Sequence, residues 1–259
     1  MIAILLVLGV YGYEFFLNEE ESLRIIKEGG RVKSDTNAFF LPSSTTGQVI
    51  HHQRYSLSYS EPHEQAEWVA YELKKSHLSK SNFKRPYFEI DPAVKTGAAS
   101  WRNYKNSGYD RGHLCPAGDR NYNQKAHDET FLTSNISPQN HEFNAGIWNS
   151  LEQKVRDWAR KYDGVYVVAG GVLKDNLATI GNEKVAVPEH FYKIIYDPNN
   201  QKMIAFLMPS KDSKEPLCKF VVPVDSVEVL TGIDFFPQLE DVLENKLEAM
   251  STYYGWSFN

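Results

Sequence analysis

Cysteine is nearly missing from this 259-residue chain, which has only Cys115 and Cys218. Two residues so far apart exclude a disulfide framework and a Cys-x-x-Cys metal site, leaving one bridge or two free thiols. Cys115 stands two residues from His113, but a Cys/His zinc centre would need further cysteines nearby. Also missing are GxGxxG and GxxxxGK[ST], so nucleotide cofactors have no support. There is no internal repeat and no excess of positive charge: 28 Lys and Arg stand against 33 Asp and Glu, a formal net charge of -5. Any surface that handles phosphate must therefore be a local cluster of cations.

Long hydrophobic runs are scarce as well. The one candidate is MIAILLVLGVYGYEFFL, residues 1–17, which reads as a signal peptide or membrane anchor. That implies an exported chain, whether periplasmic, secreted or membrane-attached; the competing reading is a buried N-terminal element. Residues 18–54, with LPSSTTGQ, read as a polar linker, and residues 55–259 as one large domain that starts near Tyr55. At 42% hydrophobic residues the chain can build a sizeable core.

Within that domain RYSLSYS alternates Tyr55, Leu57 and Tyr59 with polar residues, which predicts a half-buried strand, and EQAEWVAYELKK suits a short amphipathic helix. Phe143, Ile147, Leu151, Val155 and Trp158 recur at spacings of three and four, the clearest helical period in the chain. VYVVAGGVL, HFYKIIYD, MIAFLMPS and KFVVPV follow as short strands separated by turn residues such as DPNNQ. The pattern predicts an α+β fold or a mixed sheet with helices packed on it.

Polar chemistry concentrates in DRGHLCPAGDR, residues 110–120. On a strand, Arg111 and His113 project to one side, and Gly112 between them permits close approach of another backbone. Arginine presents a planar fork to phosphate oxygens, and neutral histidine accepts a proton from water near pH 7, a combination suited to phosphodiester hydrolysis. The blander alternative pairs Asp110 with Arg111 and buries His113 in the core. Downstream, Asn144, Trp148, Glu152 and Arg156 fall at successive intervals of four along one helical stripe. Asn144 can serve as a single protein ligand to Mg²⁺, which keeps most of its waters. An ordinary i,i+4 ion pair for Glu152 and Arg156, and a polar helix start for Asn144, are the competing readings.

DRGHLCPAG, then NISPQ, then NAGIWNSLEQKVR resemble the DNA/RNA non-specific endonuclease family, which includes secreted bacterial nucleases and mitochondrial endonuclease G. Further blocks, YSLSY, VYVVAGGVL, VPEHFYKIIYD and VEVLTGIDFFPQLE, extend the resemblance over roughly residues 55–240. It implies an α+β fold with a ββα-metal active site on a mostly antiparallel central sheet flanked by helices, with His113 as general base and Arg111 as the phosphate-facing arginine. It further implies Asn144 as sole protein ligand of a divalent ion, normally Mg²⁺ with Mn²⁺ as substitute. Glu152 and Arg156 match the helix residues that assist the metal's water shell and the transition state, and Asn135 matches a motif asparagine that supports the site. The expected substrates are DNA and RNA, held through the phosphate backbone, and the resemblance implies a homodimer. Arg102, Lys105, Arg120, Lys125, Lys154 and Arg160 are the candidate groove cations. A phosphodiesterase for small esters and a non-catalytic nucleic-acid-binding module are the alternatives.

Overall fold

A computed structural model of the chain describes residues 40–78, 81 and 83–258. The stretch 1–17 and residues 18–39 of the linker lie outside the described residues. The strands are β1 (Val49–His51), β2 (Ser56–Ser60), β3 (Gln65–Leu73), β4 (Asp110–His113), β5 (Ile136–Gln139), β6 (Val165–Gly171), β7 (Thr179–Ile180), β8 (Val185–Ala186), β9 (His190–Asp197), β10 (Lys202–Pro209) and β11 (Val221–Val222). The main helices are α1 (Gln124–Glu129), α2 (Asn149–Lys161), α3 (Val224–Thr231) and α4 (Asp241–Glu248).

Seven strands form one sheet in the order β1-β2-β3-β6-β9-β10-β11, every pair antiparallel. The sheet is covered on both sides, as expected for an α+β fold. On one side Leu151, Val155 and Trp158 of α2 join the core with Leu57, Val69, Tyr71, Val167, Ile195 and Phe206. On the other, Val224 and Val227 of α3 and Leu247 of α4 join Trp68, Ala70, Val168, Ile194 and Ala205. The DPNNQ turn closes β9 onto β10, with the Asp197 carboxylate accepting from the backbone N–H of Asn199 and Asn200 at 3.1 and 3.2 Å.

Three readings of the sequence need correction. EQAEWVAYEL is no helix but β3, in the interior of the sheet. A strand covered on both faces shows no polar/apolar alternation, and its Ala, Glu and Leu are good helix formers, so pairing with β2 and β6 overrode local preference. KFVVPV is no continuous strand: Lys219 and Phe220 end a 3₁₀ turn, Leu217–Phe220, only Val221 and Val222 form β11, and Val224 already starts α3. The folded region also starts before Tyr55. Trp68 Nε1 donates to the Ser43 carbonyl at 2.8 Å, Ser43 N donates to the Asp234 carbonyl at 2.8 Å, and β1 pairs with β2. Ser and Thr in this segment serve as hydrogen-bond partners: Thr45 donates to the buried Glu67 carboxylate through N at 3.0 Å and also through Oγ1, and Ser44 Oγ lies 2.7 Å from Ser58 Oγ.

Candidate active site

The sheet's α2 side carries a separate two-stranded unit. β4 and β5 pair antiparallel, Asp110 with Gln139, Arg111 with Pro138, Gly112 with Ser137 and His113 with Ile136. Gly112 leaves the space that the Gln139 side chain fills, since a Cβ would stand 2.1 Å from Gln139 Oε1. The close neighbour is thus a side chain and not the expected backbone. Just past His113, buried Asn135 clamps the chain: its Oδ1 accepts from Cys115 N at 2.9 Å, and its Nδ2 donates to the carbonyls of Cys115 and Thr130 at 2.9 and 2.8 Å.

Arg111 and His113 do share a face of β4. The Arg111 guanidinium lies 5.3 Å from the Phe88 ring centre and 5.6 Å from that of Trp101. The His113 ring lies 5.5 Å from Phe88 and 5.0 Å, edge-on, from Phe131. His113 Nε2 is buried without a hydrogen-bond partner. Burial, then the charges of Arg85 and His127, push its pKa down to about 4. The ring is therefore neutral across the physiological range, with an acceptor nitrogen left open. Arg85 stacks 5.4 Å above Phe131 and 5.7 Å above Phe88. Sequence reasoning missed it, since KRP in a prolyl-punctuated loop carries no periodic signal.

The expected helix begins irregularly. A helical turn, His141–Phe143, runs into a π-helical turn, Asn144–Trp148, with Gly146 non-helical at φ -97 and ψ -108, before α2 starts. The stripe at intervals of four is accordingly broken at Gly146. Asn144 Nδ2 donates to Asp110 Oδ2 at 2.9 Å, latching the helix start to β4. The same oxygen lies 2.9 Å from Nδ1 of exposed His141, whose pKa this bond raises. Asp110 is thus partnered with Asn144 and His141, not with Arg111. With Nδ2 committed, the Asn144 Oδ1 has no hydrogen-bond partner among the described residues. A fixed neutral amide oxygen beside a carboxylate is a donor set that fits a hard, largely hydrated divalent cation.

Glu152 and Arg156 meet deeper in the fold. Arg156 Nε donates to Asp119 Oδ1 at 2.6 Å, its Nη2 lies 3.5 Å from Glu152 Oε2, and Tyr71 Oη donates to Asp119 Oδ2 at 2.9 Å. Lys193 of β9 is fully buried, its Nζ unpaired and 4.4 Å from the Trp148 ring centre. Burial pushes the Glu152 carboxyl up to about 7 against the pull of Lys193 and Arg156. The sign follows: a carboxyl raised in the folded state stabilises below its unfolded value of 4.5, and that stability is lost as pH climbs through 7. In chelator, Glu152→Gln should therefore gain on wild type by roughly 2–3 kcal/mol between pH 4.5 and 8. Urea denaturation at several pH values reads this difference, and a constant gap would show that burial does not govern the group.

Both cysteines are free, and burial pushes the Cys115 thiol up to about 12, which disfavours a thiolate ligand. Among the groove cations, Arg120 drops out: it is fully buried, donating to the carbonyls of Asp119 and Glu72 at 2.9 and 3.2 Å. Lys125 pairs with Glu129 at 3.8 Å, Arg160 with Asp157 at 2.9 Å, and Lys154 donates to the Phe258 carbonyl at 3.3 Å. Arg102 and Lys105 remain, without ion pairs among the described residues, on a cleft of about 700 Å³ that Asn182 and Glu183 line opposite them. The cleft adjoins the site: Arg102 lies 4.7 Å from the Trp101 ring centre, the ring that also faces Arg111.

A β-hairpin bearing arginine and histidine, joined to a helix whose first asparagine faces the same hairpin, is the ββα architecture of metal-dependent nucleases. The chain belongs to the DNA/RNA non-specific endonuclease family, whose sequence profile matches residues 33–242. It is 34% identical over 251 residues to the mitochondrial nuclease EXOG of Danio rerio, covering 90% of this chain and 72% of that one. With human mitochondrial endonuclease G it shares 32% over 209 residues, 74% of this chain and 70% of the other. A solved EndoG/EndoGI complex superposes with a TM-score of 0.71 at 33% identity, over 81% of this chain and 93% of that chain. The protein is a phosphodiester hydrolase, a non-specific endonuclease acting on nucleic acid. No helix among the described residues is long and apolar enough to cross a membrane.

Proposed function

We propose that His113 is the general base of this endonuclease and that Asn144 holds its metal, Mg²⁺ with Mn²⁺ as substitute. The observation that carries this reading is the latch at Asp110. It ties Asn144, its Oδ1 open, to the same four-residue strand that carries Arg111 and His113.

In the reaction, the neutral His113 imidazole takes the proton of the attacking water. A pKa near 4 makes it a weak base in the free protein, and the negative phosphate raises it on binding. Arg111, helped by Arg85, holds the phosphate oxygens. When bound, the divalent ion neutralises charge on the phosphate and at the leaving oxygen. Glu152 orients the ion's water shell. Arg156, already engaged with Asp119 and Glu152, acts by holding Glu152. Asn135 fixes the backbone that carries His113.

DNA and RNA are both substrates on this reading, because phosphate contacts position a strand without reading its bases. Arg102 and Lys105 guide the strand through the neighbouring cleft. The enzyme is a homodimer, and residues 1–17 export it or attach it to a membrane; the named relatives are mitochondrial.

The test is incubation of the full chain with supercoiled plasmid and with single-stranded RNA, with Mg²⁺ or chelator. Both are cut internally, and only with the ion. With about four phosphates neutralised by Arg85, Arg102, Lys105 and Arg111, binding weakens between 50 and 200 mM salt by roughly 150-fold on duplex DNA and roughly 50-fold on single strands. Cleavage in chelator, attack confined to small esters, or a flat salt response would each reject this assignment.

A further inference from the structure

On the face of the sheet opposite α2, five carboxylates gather where α3 meets α4. One oxygen each from Asp225, Glu228 and Glu248 lies within 4.8 Å of the others. Asp234 and Glu244 are the further charges that act on Glu248, and no cation acts on it comparably. None of the five enters an ion pair among the described residues. Such a group repels itself and would be expected to splay into water. It does not: Glu248 is only 7% exposed, and its Oε1 is buried with no hydrogen-bond partner. Glu244 Oε1 is in the same condition. Glu228 is held in place by accepting from Phe235 N through Oε1 at 2.9 Å, beside the loop that joins the two helices.

We propose that Asp225, Glu228 and Glu248 form a second divalent-cation site, separate from the nuclease centre, which takes calcium and ties the last turn of α4 to the first turn of α3. The chemistry selects the ion. All three donors are hard carboxylate oxygens, a set that suits calcium with its many oxygen ligands in flexible geometry, whereas magnesium dehydrates reluctantly and is usually held through only one or two carboxylates. The buried, unpaired oxygen of Glu248 is the part of the cluster that water does not satisfy and a cation does. The occupied site stabilises the layer formed by α3 and α4, whose Val224, Val227 and Leu247 cover the sheet. Its role is to make folding stability depend on calcium while turnover depends on the ion at Asn144.

The experiment uses the full chain carrying Asn144→Ala, so that the proposed catalytic ion does not contribute. After chelator treatment, calorimetric titration with calcium chloride at pH 8 shows one ion bound per chain. The melting temperature rises about 5–10 °C with calcium a hundredfold above its Kd. Glu248→Gln abolishes the rise and, having lost a buried unpaired charge, melts above its parent in chelator; a purely structural glutamate would lower the melting temperature in both conditions. Asp225→Asn, at an exposed position that folding does not need, also abolishes the rise and leaves the plasmid-cleavage rate of the otherwise wild-type enzyme unchanged. Absence of calcium binding in the Asn144→Ala protein, or a full calcium response in Asp225→Asn, overturns the proposal. An equal shift with magnesium at the same concentration overturns the choice of ion.

Discussion

Replacing His113 by Ala lowers kcat/KM on plasmid DNA by about 10²–10⁴-fold, the range for loss of a positioned general base. The proton moves only in the transition state, so kcat falls by the same factor and KM hardly changes. The fold tolerates the change, because His113 contributes ring contacts with Phe88 and Phe131 but no hydrogen bond through Nε2. Steady-state kinetics beside a thermal melt measures both quantities. A variant that melts normally and retains more than a tenth of the activity would remove His113 from proton transfer. A rise in KM alone would recast it as a binding residue.

Replacing Asn144 by Ala acts on metal affinity first. Loss of merely an outer-shell partner costs about 10–100-fold in metal binding, and Asn144 is proposed as the sole protein ligand, so the Mg²⁺ concentration for half-maximal cleavage rises at least that much. The variant also frees Asp110, whose carboxylate retains His141 as partner. High Mg²⁺ restores part of the rate, because water can replace one neutral oxygen around a cation that is already mostly hydrated. A metal titration that superimposes on wild type would take Asn144 out of the coordination shell. This outcome is independent of the His113 result, so the two variants separate the base from the ion.

Much of the candidate site was legible because its residues are compressed into two short stretches. DRGH is short enough that strand alternation alone puts Arg111 and His113 on one face. NAGIWNSLEQKVR puts Glu152 and Arg156 one turn apart on α2, though the kink at Gly146 takes Asn144 off their stripe. What could not be read was which partner each side chain finds. Asp110 looked like the mate of Arg111 and instead bonds Asn144, 34 residues on. Arg120 looked like a groove cation and is buried over Tyr71, 4.6 Å from its ring centre. The same gap explains β3: EQAEWVAYEL has the composition of a helix, and only its neighbours β2 and β6 and the layers above and below make it a strand.

By itself, then, the sequence determined the helix α2, the antiparallel hairpin of β9 and β10 and the residue types available for phosphodiester chemistry. These are local properties, set by side-chain alternation, turn residues and short spacings. Tertiary structure alone decided the kink at Gly146, the latch between Asn144 and Asp110, the burial that pushes Glu152 up to about 7 and His113 down to about 4, and the carboxylates gathered around Glu248. Each depends on groups distant in the chain coming together out of water. Desolvation and charge–charge distance are properties of packed atoms, and no run of residue letters specifies them.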